Sequence, residues 1–127
     1  MTNANKYRNI AVETPAGRFD SRKEYKYWLY LLTLLKRGEI ADLKRQVRYE
    51  LIPPQYEEVS VQLKTKTKVV KKLAEKACCY IADFTYIDSQ GNLVVVDVKS
   101  PATRKNAEYR IKRKLMLFIH HIKIQEV

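Results

Sequence analysis

"YIADFTYIDSQGNLVVVDVKS", residues 80–100, reads as two β-strands joined by a tight turn. Its arms are rich in β-branched and aromatic residues, and Asp88 and Asn92 bracket Ser89-Gln90-Gly91 as a three-residue loop. Gly91 then falls where a type I turn followed by a bulge needs a left-handed residue. Opposed residues of an antiparallel pair share a face, so this loop sets Asp83 across from Asp97. A two-residue Gln90-Gly91 loop would instead send them to opposite faces, so the register is decisive. Two carboxylates about 5 Å apart repel by about 3 kcal/mol at an effective dielectric near ~20, against ~0.2–1 kcal/mol gained per favourable cross-strand pair. Positive charge is required there. Lys99 shares the face of Asp97 by the two-residue period, but one ammonium cannot satisfy the oxygens of two carboxylates. A divalent cation can, and Mg²⁺ is typically held by one or two carboxylates with waters and a phosphate. The plainer reading makes both acids surface ion pairs with nearby lysines. An opposed second acid, the apolar run around it (Val94, Val95, Val96, Val98) and a basic chain favour the cation site.

The chain has 127 residues, with 25 Lys+Arg against 14 Asp+Glu, a formal net charge of +11 and 46% hydrophobic residues. That length predicts one domain, 1–127, with 1–18 as an irregular N-terminal arm. The charge predicts a polyanionic partner. No apolar run approaches the ~20 residues of a membrane span, and "MTNANKYRN" lacks the apolar region of a signal peptide, so no membrane partner and a cytoplasmic location are expected. Adjacent Cys78 and Cys79 cannot form an ordinary disulfide and are read as reduced. His120 and His121 are neighbours at a helix end, where their side chains diverge and an imidazolium suits the negative end of the dipole.

Outward from the hairpin, Ser21 and Glu24 form a capping box for a helix over 21–37, with Trp28, Leu31, Leu32 and Leu35 at helical spacing and Gly38 as the stop. Residues 43–51 alternate as a half-buried strand that Pro53-Pro54 closes, with Arg45 breaking the alternation. Residues 55–76 alternate at first and then shift towards helical spacing, and are left as an excursion. A second amphipathic helix follows Pro101, with Ala107, Ile111, Leu115 and Phe118 on one face. "IKIQEV" reads as a last strand. Tyr80, Phe84 and Tyr86 are expected to share the strand face opposite Asp83 and to pack under helices. The predicted order is helix, strand, strand, strand, helix, strand.

"IADF", a hairpin and "VVDVKS", in that order of elements, resemble the core of the PD-(D/E)XK nuclease superfamily, the restriction-endonuclease-like fold. "KYRN", "FDSRKEYKYW", "YIADFTYID", "VVDVKS" and "IKRKLMLF" more narrowly resemble phage and prophage proteins of a domain-of-unknown-function family assigned to that superfamily. The resemblance spans nearly the whole chain. It implies an α/β fold with an αβββαβ core, a central mixed sheet and flanking helices. It implies that Asp83 and Asp97 hold Mg²⁺, with Mn²⁺ as a substitute, assisted by the backbone carbonyl of Val98. It also implies that Lys99 orients or activates the attacking water, and that Glu24 matches an acid many members place on the first helix. Ala82 stands where the motif's name has Pro, and Asp97 where Glu is commoner.

The capping box explains Glu24 without catalysis, and the two readings are compatible. Gln46 reads as an exposed strand residue, although several related nucleases keep a Gln near the site. Lys64, Lys66, Lys68, Lys71 and Lys72, with Arg110, Lys112, Arg113 and Lys114, are the candidate phosphate contacts. The expectation is a Mg²⁺-dependent endodeoxyribonuclease of phage origin acting in recombination, replication or packaging, and a homodimer, since two cuts need two sites. The alternatives are a DNA-binding module on the same fold that does not cut, and a basic structural protein with incidental carboxylates.

Overall fold

The structure, a computed structural model, describes residues 10–127. Strands β1 (Val12–Thr14) and β2 (Gly17–Phe19) form a small hairpin, followed by α1 (Arg22–Lys36) and β3 (Ala41–Ile52). A second hairpin, β4 (Gln55–Gln62) and β5 (Thr67–Glu75), leads into β6 (Cys78–Ile87) and β7 (Leu93–Asp97). Helices α2 (Pro101–Arg104) and α3 (Ala107–His120) precede β8 (Gln125–Glu126). The central sheet has the order β3-β6-β7-β8, antiparallel except for the parallel β7–β8 pair. The chain is thus an α/β protein with a mixed four-stranded sheet and flanking helices. Its sheet and main helices follow the expected order, and two hairpins are added to it.

The decisive register is the one the loop dictates. Phe84 pairs with Val96 and Thr85 with Val95, so the same offset sets Asp83 against Asp97. The Asp88 N–H donates to the Asn92 carbonyl at 2.9 Å, and Gly91 takes φ +82°. Asp88 Oδ1 accepts from the N–H groups of Gln90 and Asn92, an Asx turn that locks the loop. At α1, Ser21 Oγ accepts from the Glu24 N–H at 3.1 Å, and Gly38 ends the helix in the left-handed region.

Four expectations need correction. Residues 1–9 lie outside the described residues, but the rest of the expected irregular arm includes the β1–β2 hairpin. Arg45 is what holds it: its Nη2 donates to the Arg18 carbonyl at 2.8 Å, and its guanidinium lies 3.7 Å over the Phe19 ring. The interruption in the alternation of residues 43–51 is therefore a stacking residue. The excursion at 55–76 is an exposed ribbon throughout. Its second half, Thr67–Glu75, pairs in register with the first, because β-branched Val69 and Val70 gain more from cross-strand neighbours than from an unsupported helix. On α3, Ile111 and Phe118 are 59% and 80% exposed, while Tyr109 and Met116 are buried. Tyr109 sets that rotation, since its hydroxyl donates to Glu126 Oε2 on β8.

The core has two parts. Leu51, Tyr80, Val95 and Ile124 pack with Tyr109 and Met116 of α3. Phe19, Phe84, Tyr86 and Val96 pack with Leu31 of α1, and the Trp28 ring stacks on Phe84 at 5.8 Å. Tyr80 therefore lies under α3 but Phe84 and Tyr86 under α1, and the expected shared face is broken between them. The break falls at Asp83. Across from it, between the pairs Arg45–Phe84 and Val47–Ala82, sits Gln46 with φ +52°. A left-handed residue inside a strand upsets the two-residue period, as a bulge does. In β3 the change is parallel: Leu43 and Arg45 pack on the α1 side, Tyr49 and Leu51 on the α3 side.

His120 and His121 part company as expected. His120 Nε2 lies 2.6 Å from the Glu50 carbonyl, and His121 is the left-handed residue that ends α3. Cys78 and Cys79 are half-buried free thiols. Among the described residues, no helix is long and apolar enough to cross a membrane.

Candidate active site

Asp97 closes β7 and is only 1% exposed. Its Oδ2 accepts from the Tyr80 hydroxyl at 2.5 Å, and its Oδ1 lies 3.1 Å from the Lys99 ammonium. That contact lacks hydrogen-bond geometry, so Oδ1 is a buried oxygen with no donor. Asp83 Oδ2 accepts from the Val98 N–H at 2.8 Å, which ties β6 to the end of β7 beyond their ladder. Burial pushes the Asp83 carboxyl up to about 8, and the charges of Asp97 and Glu24 add to the rise, against the pull of the Val98 amide. Without a cation, Asp83 keeps its proton at neutral pH, because partial burial disfavours its charged form and the Asp97 carboxylate beside it adds to the cost. The Lys99 ammonium lies 4.9 Å over the Tyr109 ring, a cation–π contact that helps hold it beside Asp97.

Asp83, Val98 and Lys99 open into a cleft of about 440 Å³ whose other wall is the start of α1, with Asp20, Ser21, Arg22, Lys23 and Glu24. Glu24 is 3% exposed and combines the helix cap with an inward-facing carboxylate. Its backbone N–H completes the Ser21 cap, while its carboxylate turns inwards and accepts from Gln46 Nε2 at 3.4 Å. Its pKa is raised by burial first, then by the charge of Asp20, with the Arg45 guanidinium opposing. Gln46, read as an exposed strand residue, is exposed, yet its amide reaches this buried acid. The α1 N-terminus brings positive dipole and free N–H groups to the same cleft.

Lys23 was not singled out by sequence reasoning. Its Nζ donates to the Lys99 carbonyl at 3.1 Å, bridging the α1 start to the strand end. The signal for it was its place beside Glu24 in the first turn of a capped helix. Tyr80 and Tyr109, which engage Asp97 and Lys99, carried no local signal, since an aromatic in a strand or helix usually means core.

The basic candidates separate. Arg113 is 3.4 Å from Glu126 Oε2 and flanks Tyr109, so it is spent within the fold. Arg113 and Lys114 edge a second hollow with Leu117, Lys123 and Ile124, apart from the carboxylate cleft. Arg110 is exposed and Lys112 half-buried on α3. Lys64, Lys66, Lys68, Lys71 and Lys72 lie on the β4–β5 ribbon, none of them lining the cleft.

The donor set fits a hard divalent cation. It offers carboxylate oxygens, one of them buried without a donor, and a neighbouring acid whose carboxyl burial and the charge of Asp97 hold above its ordinary value. Among the described residues no three His, Cys, Asp or Glu side chains gather as a ligand cluster. Two carboxylates with solvent and a phosphate suffice for Mg²⁺.

The profile of a family described as "Protein of unknown function (DUF1064)" matches residues 4–126. No curated protein and no solved structure is matched. With nearly its whole length covered, the chain belongs to the DUF1064 family.

Proposed function

We propose that the protein is a Mg²⁺-dependent endodeoxyribonuclease of the PD-(D/E)XK superfamily, phage-encoded and acting in DNA recombination, replication or packaging as a homodimer. The observation that carries the reading is half-buried Asp83 opposed across β6 and β7 to buried Asp97, with the Lys99 ammonium 3.1 Å from Asp97, and Asp83 and Lys99 opening on a cleft that Arg22 and Lys23 also line. Asp83, Asp97 and the Val98 carbonyl are the groups that would hold Mg²⁺ or Mn²⁺. When bound, the ion supplies positive charge against the phosphodiester and a more acidic water. Lys99, fixed between Asp97 and Tyr109, sets a further positive charge where charge builds up on the phosphate. Arg22, Lys23 and the α1 N-terminus hold the phosphate from the opposite wall. Glu24, buried and oriented by Gln46, is a base for water entering from that side.

A non-cleaving DNA-binding module is the second reading, and the 1% exposure of Asp97 speaks for it. Incubating supercoiled, linear and branched DNA with Mg²⁺ or Mn²⁺ separates the two. Cutting that EDTA and Asp97→Ala both abolish supports the nuclease. Binding without cutting supports the module.

A further inference from the structure

The β4–β5 ribbon adds little to the core. Its side chains are nearly all exposed, its two strands pack on each other and on little else among the described residues, and a two-stranded hairpin alone is marginal in water. Its charges are segregated along its length. Near the root, Glu57 stands across from Lys72 and Glu58 from Lys71, so those lysines bring no excess charge. The distal end, Gln62 to Lys68, carries Lys64, Lys66 and Lys68 and no acid, all exposed. The Leu63 N–H donates to the Lys66 carbonyl at 2.8 Å, which makes Lys64-Thr65 the turn. Lys66 and Lys68 project from one face by the two-residue period, while Thr67 on the other is held by its hydrogen bond to Gln62 Oε1 at 2.9 Å.

Three unopposed cations at the narrow end of a ribbon match a polyanion, whereas a second copy docking tip to tip would bring like charges together. The major groove of B-DNA, about 12 Å wide, admits a two-stranded β-ribbon. We infer that the distal ribbon, with Lys64, Lys66 and Lys68, is an arm that enters the major groove of duplex DNA away from the carboxylate cleft. This rests on the reading that the substrate is DNA. The ribbon is rooted on β6, the strand of Asp83. Strand rise from Asp83 to the turn at Thr65 gives the tip a reach of at most about 60 Å, roughly 18 base pairs.

The test is binding of a labelled duplex of about 40 base pairs, measured in EDTA over a range of salt so that neither metal nor cutting contributes. The variants are Lys64→Ala/Lys66→Ala/Lys68→Ala and, as control, Lys71→Ala/Lys72→Ala, each checked for folding by circular dichroism. The triple variant should lower the slope of log affinity against log salt by about 2.7, and the control by less than about 1. A wild-type slope in the triple variant overturns the arm. So does unchanged DNA binding with loss of a dimer in sedimentation, which makes the tip a contact between copies. Wild-type protein that shows the arm-dependent slope but never cuts in Mg²⁺ or Mn²⁺ overturns the nuclease and leaves the arm. Cutting with an unchanged slope in the triple variant does the reverse.

Discussion

The β6–β7 hairpin and the β4–β5 ribbon are both antiparallel two-strand units in one chain, and they treat charge in opposite ways. The ribbon keeps its lysines in water, where charge costs nothing and salt screens it. The hairpin buries Asp97 and crowds Asp83 and Glu24 against it, at a cost the fold could avoid with apolar side chains. Charge retained where it is expensive is the stronger pointer to chemistry, and charge where it is free points only to a class of partner. The expected effects below widen or close that contrast.

The largest concerns chemistry. Asp97→Asn, which keeps the shape and an acceptor for Tyr80, should lower Mg²⁺-dependent cleavage by about 10⁴-fold, roughly 5.4 kcal/mol of barrier. A single-turnover cleavage rate checks it, and a loss under about tenfold would mean the buried acid is structural. Next comes packing. Phe84, fully buried beneath Trp28, should cost about 4 kcal/mol of stability on Phe84→Ala, read from a urea unfolding curve.

The hairpin's half-buried acid also makes stability depend on pH. Asp83 has an ordinary value of 3.8 and a folded value of about 8, raised by burial first and by Asp97 next. Between those values the native state binds a proton that the unfolded chain has lost, so stability falls as pH rises through that window. Melting temperature in EDTA should therefore drop from about pH 5 to about pH 8, and Asp83→Asn should flatten the curve. Mg²⁺ should raise it more at the alkaline end, where no proton has to be displaced. The smallest effect belongs to the ribbon: Val69→Ala, at an exposed position, should change stability by no more than about 0.5 kcal/mol in the same urea assay. A larger loss would show that the ribbon packs against something in solution.

Much of the hairpin was legible because turn chemistry is local. Asp88, Gly91 and Asn92 determine the loop, the loop determines the register, and the register sets Asp83 against Asp97. The α1 start was legible for the same reason, through Ser21 and Glu24. What could not be read depends on contacts distant in sequence. The left-handed Gln46 and the change of facing beside it arise where two helices claim opposite faces of one strand, and no residue type announces that. The rotation of α3 follows from Tyr109 meeting Glu126, so a stripe of Ile111 and Phe118 that looked like core lies outside. The ribbon was obscured because its apolar residues face water, so neither period had a buried side to mark.

The account turns on whether Asp83 and Asp97 together hold a divalent cation, and calorimetric titration of Mg²⁺ or Mn²⁺ into the wild-type chain and into Asp83→Asn asks this without DNA. One cation bound per chain, tighter at pH 8 than at pH 6 and lost in the variant, is the expected result. Equal binding by both proteins, or none by the wild type, would contradict it.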